Sequence, residues 1–397
     1  MPTVDIRSLV TKSTAPPHRP GMHDFSRNPM LVYWEMTQAC GLACRHCRAE
    51  AMSASHPNEL NHVESKALLE QIAAFDNKPH VILTGGDPLE RKDLFEIIAE
   101  ARRLGLTVSI TPAATPALTV EVLKKLRDSG IDSLGISLDG SNAERHEAVR
   151  GVAGCYDWTI QALRNGAKLG FPIQVNTLVS EETADDLPAI YNLLKQHQIM
   201  RWSLFMLIAV GRGKVLAPVS PERGEEIMRW TYDLAEQAPF QIKTTEAPSY
   251  RRIALDKMKE RGWTGGQIRT SSVYRGFGIR DGHGIVFISN TGDVYPAGFL
   301  PVVSGNVRHD NLVSIYRDSP LFQSLHNPSV FRGKCGRCEY RALCGGSRAR
   351  AFAYTGDPLA SDPFCPYQPK LASTELASGV EGHVPHAAAQ NILAGAY

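Results

Sequence analysis

Three cysteines crowd one short segment, Cys40, Cys44 and Cys47 in CGLACRHC. Thiolates on so short a loop suit three irons of a cubane, and a fully protein-ligated [4Fe–4S] cluster takes four. The fourth iron, left open, could bind a small chelating ligand and pass it an electron, as a catalytic metal site keeps one position free. Zinc is the other reading of this spacing, with His46 as a fourth ligand. Much further along, Cys335, Cys338, Cys344 and Cys365 form C-x2-C-x5-C-x20-C, four thiols able to close a complete cluster or a zinc site. The remaining cysteine, Cys155 in GVAGCYDW, stands alone and reads as a small buried residue.

The first group follows a short apolar run, and the run recurs. LVYWEMT (31–37), HVILTG (80–85), LTVSIT (106–111), IDSLGISLDG (131–140), PIQVNTLV (172–179) and RWSLFMLI (201–208) each end near Gly, Pro, Asp or Asn, as buried strands do. Helical patterns separate them at 63–76, 90–104, 119–129, 156–169, 183–196 and 221–237. Strict alternation of six strands and helices predicts an α/β fold with a parallel sheet. In such folds the chemistry gathers at the carboxyl ends of the strands, where the first cysteines lie. Beyond about residue 240 the alternation stops. A polar stretch leads to GIVFISNTGDVYPAGFL, which reads as a hairpin turning at Asn290–Asp293, then to a short helix near 311–325 and the second cysteine group.

Composition narrows the class. The 397 residues carry 43 Lys+Arg against 41 Asp+Glu, a net charge of +2, which removes the usual basis for nucleic-acid binding. No apolar run reaches the roughly 20 residues of a membrane span, and the N-terminus has no secretory pattern, so the expected location is cytoplasmic. Clustered thiols in such a chain point to metal or redox work rather than disulfides.

C-x3-C-x2-C at the end of the first strand of a (βα)6 unit resembles the radical S-adenosylmethionine (radical SAM) superfamily. The resemblance spans roughly residues 30–240, with His46 in place of the usual aromatic. It implies a partial (βα)6 TIM barrel, S-adenosylmethionine chelating the open iron, and reductive cleavage to methionine and a 5′-deoxyadenosyl radical that abstracts hydrogen. TGGDP is similar to the family's Gly-Gly-Glu-Pro loop, so Gly85, Gly86 and Asp87 are expected at the methionine amine, with Asp87 replacing the usual Glu. By the same resemblance Ser137 in SLDG touches the cofactor and Arg150 in HEAVRG pairs with its carboxylate. Gln174 and Asn176, on one face of the fifth strand, resemble ribose-binding groups.

The hairpin and the string CGGSRARAFAYTGDPLASDPFC resemble the SPASM/twitch extension, a small α+β iron–sulfur domain. Ala297 stands where that pattern has a cysteine, and Ser347 and Arg348 fall where another is expected. The four cysteines left suffice for one auxiliary cluster, and two [4Fe–4S] clusters are expected in all. The organisation expected is an irregular 1–28, a radical SAM core over 29–240, an auxiliary domain over 241–370 and a weakly ordered tail over 371–397. RARA and TGD resemble the subgroup acting on tetrapyrroles. The expected substrate is therefore an iron tetrapyrrole with an oxidatively decarboxylated propionate, and the alternative is a peptide. GRGK (211–214), Arg251, Arg252, Arg348 and Arg350 are the candidates for propionate binding, since arginine's fork suits carboxylates. A flavodoxin or ferredoxin would supply electrons. The rival from another class, a zinc-binding module, predicts colourless protein rather than brown.

Overall fold

The computed structural model describes residues 23–370. The expected weak order of 371–397 and most of the irregular N-terminal lead-in lie outside them. The six expected strands form as β1 (Leu31–Glu35), β2 (His80–Thr84), β3 (Thr107–Ile110), β4 (Ser133–Ser137), β5 (Ile173–Val179) and β6 (Arg201–Met206). Between and after them run α1 (His62–Ala73), α2 (Leu94–Arg103), α3 (Val120–Asp128), α4 (Ala143–Arg150), α5 (Cys155–Lys168), α6 (Leu187–Leu194) and α7 (Pro221–Ala235).

Helix starts follow their sequence signals. Asn61 and Glu64 close a capping box on α1, and Thr119 and Ser220 cap α3 and α7 through their hydroxyls. One side of each strand carries apolar residues that vanish from solvent, among them Val32, Trp34, Leu83, Ile136, Val175 and Trp202, all 0% exposed. They join the buried faces of α1–α3 and α5–α7 in one core. The other side is different. Tyr33, Ser133, Ser137, Gln174, Asn176 and Arg201 alternate with the core residues and remain partly accessible. A parallel sheet buried on both faces would be apolar throughout, so this polar side lines a site.

The sheet does not stop at six strands. Its order is β7-β6-β5-β4-β3-β2-β1-β8-β9, with β7 (Gln241–Thr245) parallel to β6 and β8 (Ile285–Ile288) parallel to β1. Only β9 (Val294–Tyr295) is antiparallel, paired with β8 across the expected turn. The end of alternation near residue 240 therefore reflects an edge strand, QIKTT, whose exposed or half-buried positions need no apolar run. The hairpin's first arm is also the partner of β1, a long-range pairing that local pattern does not reveal. The expected helix near 311–325 is two, α11 (Leu312–Asp318) and α12 (Pro320–His326), interrupted at Ser319 before Pro320. Between β7 and β8 lie α8 (Tyr250–Glu260), α9 (Gly265–Thr270) and α10 (Ser272–Arg275); α13 (Gly333–Arg337) and α14 (Arg348–Thr355) complete the second cysteine region.

Candidate active site

The loop from Cys40 to Cys47 leaves the carboxyl end of β1 and is held from several sides by backbone. Cys40 N–H donates to Met52 O at 2.9 Å and Met52 N–H to Gln38 O at 2.9 Å, which closes the loop on itself. Arg45 N–H reaches Val149 O at 2.9 Å, and Arg212 N–H reaches Cys47 O at 3.1 Å. Gly211 adopts φ +53°, and a Cβ there would lie 2.7 Å from Cys47 O. Gly86 lies beneath the loop, with its N–H on Thr37 O at 2.7 Å and that of Asp87 on Ala39 O at 2.7 Å. The Gly-Gly pair thus lets the end of β2 touch the backbone that carries Cys40. Glu59 fixes the same backbone from the other side, accepting from Thr37 Oγ1 and Gln38 N. Arg48, just past the last cysteine, pairs with buried Glu35 and lies 4.5 Å over the Phe287 ring, tying the loop to β8.

The thiols meet donors. Leu42 N–H points at Cys40 Sγ (3.3 Å), Ala51 N–H at Cys47 Sγ (3.4 Å) and Arg150 Nη1 at Cys44 Sγ (3.6 Å). Burial pushes the free Cys40 thiol up to about 11, so loading a metal must displace its proton. Arg150 is also engaged by the buried Asp139 carboxylate, Nε to Oδ2 at 2.7 Å. Burial opposes the Asp139 charge, but Arg150, His46 and His146 outweigh it and bring its pKa below the ordinary value. Asp139 in turn accepts Leu178 N–H at 2.7 Å, which joins β4 to β5. Burial lowers His46 to about 4, so its ring is neutral at ordinary pH.

The remaining expected contacts form a neighbouring surface. Ser137 and Asn176 are register partners on β4 and β5, and Gln174 Nε2 donates to Asn176 Oδ1 at 2.8 Å. Asp87 is fully buried. Its Oδ1 accepts Leu89 N–H (3.1 Å) and Ala113 N–H (3.3 Å), while Oδ2 has no partner among the described residues. Burial pushes its pKa from 3.8 to about 6. The folded protein therefore keeps this proton to higher pH than the unfolded chain, and stability is lost as pH rises through that interval. The loss should approach about 3 kcal/mol, from 1.36 kcal/mol for each pH unit. Asp87→Asn is expected to abolish it, so urea titrations of the cluster-free protein at about pH 4 and about pH 7 should show the variant gaining on the wild type.

The second group lines one hollow, with all four thiols facing it beside Arg252, Tyr340 and Tyr367. Asp362, Tyr340 and Gly346 N–H groups point at Cys335, Cys338 and Cys344 Sγ at 3.3–3.4 Å. Burial pushes the Cys338 and Cys344 thiols up to about 12. Such a donor set suits a bound anionic cluster.

The arginines expected to meet propionates are mostly engaged elsewhere. Arg348 (0% exposed) donates to Pro358 O and Ala360 O, and Arg350 to Glu246 O, Met206 O and Leu207 O. Arg252 pairs with Glu225 and Asp256. Arg212 and Arg251 differ, since Arg212 Nε and Nη2, against the first cysteine loop, and Arg251 Nη1 are buried without hydrogen-bond partners among the described residues. Cys155 packs beside Leu42 and Cys44 as a buried residue.

The radical SAM superfamily model matches residues 34–194. An AdoMet-dependent heme synthase of Methanosarcina barkeri is 37% identical over 346 residues, covering 86% of this chain and 97% of that protein. The chain belongs to the radical SAM superfamily. It is an enzyme whose family cofactors are a [4Fe–4S] cluster and S-adenosylmethionine. A second M. barkeri protein, an Fe-coproporphyrin III synthase, is 31% identical over 354 residues, 84% of this chain and 87% of that one. Among solved structures, Streptococcus suis SuiB bound to S-adenosylmethionine superposes with a TM-score of 0.66 at 16% identity, over 86% of this chain and 78% of that one. That likeness supports the fold, including the extension after β6. No helix among the described residues is long and apolar enough to cross a membrane.

Some site residues carry no local sequence signal. Glu35 and Asp139 become functional neighbours only through the partners that the fold delivers, Arg48 and Arg150.

Proposed function

We propose that this enzyme oxidatively decarboxylates propionate side chains of an iron tetrapyrrole. The observation that carries the reading is the 37% identity to a heme synthase over 97% of its length, next to a three-thiol loop and a polar sheet face. Cys40, Cys44 and Cys47 would hold the radical-generating cluster. Bound there, it and S-adenosylmethionine would supply one-electron cleavage to a 5′-deoxyadenosyl radical able to take one hydrogen atom from substrate. The methionine ammonium can only donate, so the carbonyls of Gly85 and Gly86 would accept from it, while the Gly86 and Asp87 N–H groups hold the loop. Ser137, Gln174 and Asn176 would position the nucleoside. Arg150 acts through the loop, steadying Cys44 and Asp139, and Arg212, whose Nη1 donates to Ala51 O while Nε and Nη2 have no partner among the described residues, suits the methionine carboxylate. Cys335, Cys338, Cys344 and Cys365 would hold an auxiliary [4Fe–4S] cluster.

The substrate chemistry follows from the compounds in the relatives' names. Haem differs from iron coproporphyrin III in carrying vinyl groups at two positions that are propionates in the latter. A propionate that loses one methylene hydrogen atom becomes vinyl by releasing carbon dioxide and one electron, which an acceptor must take. Anaerobic incubation with S-adenosylmethionine, dithionite and iron coproporphyrin III tests this by mass spectrometry. The expected product has lost the elements of formic acid at each converted propionate, with 5′-deoxyadenosine formed in step. Unchanged tetrapyrrole, with 5′-deoxyadenosine stimulated by a peptide instead, would falsify the reading.

A further inference from the structure

The polar face of the sheet holds two cations that nothing in the fold neutralises. Register aligns Ser137, Asn176, Ser203 and Lys243 in one row across β4–β7, and places Gln174, Arg201 and Gln241 in the row before it. No carboxylate lies on these two rows. Arg201 donates only to neutral amides, Nε and Nη2 to Gln241 Oε1 (3.2 and 2.8 Å) and Nη1 to Gln174 Oε1 (3.4 Å). Those contacts aim the guanidinium without cancelling its charge. The Lys243 ammonium has neither a hydrogen bond nor an ion pair among the described residues. Arg348, Arg350 and Arg252, by contrast, are consumed by carbonyls or carboxylates of the fold.

The two cations feel each other. Burial, and then the Arg201 charge, bring Lys243 down to about 8, and burial lowers Arg201 as well. From β1, the Tyr33 phenol lies within electrostatic reach of the Glu246 carboxyl just past β7, which burial pushes up to about 8, and of Arg201, and its hydroxyl has no hydrogen-bond partner among the described residues. Like charges held together in a half-buried place without a counterion are unfavourable, and an arriving anion relieves that cost while gaining charge-assisted hydrogen bonds.

We infer that Arg201, Lys243 and the Tyr33 hydroxyl form the seat for a carboxylate of the substrate. The inference rests on the tetrapyrrole reading above and adds where such a substrate is gripped. The seat shares its face with Ser137 and Asn176, the proposed nucleoside contacts, so anchoring one propionate there sets a different side chain of the same macrocycle beside the cofactor. A substrate with several carboxylates is required, one to be held and another to react.

The test is equilibrium binding to the anaerobically reconstituted enzyme, followed by the tetrapyrrole's visible absorbance. Iron coproporphyrin III is compared with its tetramethyl ester, for the wild type, Lys243→Gln, Arg201→Gln and the charge-keeping Lys243→Arg and Arg201→Lys. The wild type should prefer the free acid. Each Gln variant should lose about tenfold to a hundredfold in affinity for the acid while its affinity for the ester stays unchanged, and the charge-keeping variants should retain most of the binding. Tyr33→Phe should cost less than either Gln variant. Gln variants that bind the acid as tightly as the wild type overturn the seat and leave the tetrapyrrole reading standing. Equal weakening of acid and ester, or loss in the charge-keeping variants too, assigns the residues to structure and likewise overturns it. A wild type that binds neither compound overturns the tetrapyrrole reading and the seat with it.

Discussion

The Cys40→Ala/Cys44→Ala/Cys47→Ala variant is expected to form no 5′-deoxyadenosine above background, yet to keep about four of the roughly eight iron atoms of a two-cluster protein. The two thiol groups are built from different parts of the chain and share no residue. The first hangs from β1 and is fixed by Met52, Val149 and Arg212 through backbone hydrogen bonds. The second lines a hollow whose donors come from Tyr340, Gly346 and Asp362. Because backbone contacts rather than the thiols hold the first loop, the triple variant should fold. Iron analysis and mass spectrometry of anaerobically reconstituted protein give the answer. A wild type holding only about four irons would sink the auxiliary cluster, and a variant that still makes 5′-deoxyadenosine would sink the assignment of the first loop.

Gly86→Ala should be the most damaging single-methyl change near the site. The added Cβ would lie 2.2 Å from Ala39 O and 2.6 Å from Gln38 O. Both are backbone atoms, so no side chain can rotate away, and the segment leading into Cys40 must shift. With it go the Gly86–Thr37 and Asp87–Ala39 hydrogen bonds, each 2.7 Å. We expect a loss of about 3 kcal/mol in stability, at the upper end for overpacking, with weakened iron retention at the first site. Gly170→Ala is the control. Gly170 has φ +77° and nothing within 4 Å of an added Cβ, so it tests backbone conformation without collision. It should cost about 1 kcal/mol and leave the iron in place. Equal losses for the two variants, by urea titration, would mean that contact with the cysteine loop is not what Gly86 provides.

Much of this was readable from local pattern, because local physics determines it. The six strand runs and their helices follow from apolar period and capping residues, and the strands end within a few residues of the expected limits. C-x3-C-x2-C could be read because three ligands on one loop need only sequence neighbours. The four-cysteine group was legible as a set for the same reason, up to its distant member Cys365.

What the chain order could not decide was which charges remain free. Arg348 and Arg350 in the string SRARAF read as candidates for propionate binding, but the fold buries them on carbonyls near residues 360, 246 and 206. In the sequence Arg201 only opens the sixth strand run, and Lys243 falls in the polar stretch beyond it. Only the parallel register of β5, β6 and β7 brings them together on adjacent rows that hold no carboxylate. Likewise Arg150 acquires Asp139, and β8 its place beside β1, through contacts between segments far apart in sequence. The sequence by itself therefore determined the strand–helix order and the grouping of the cysteines, both set by spacing, while the cofactor chemistry came from the family resemblance that those motifs carry. The tertiary structure alone decided the pairing of charges and the free cations left to meet a substrate, because Coulomb interactions depend on distance in space and on burial.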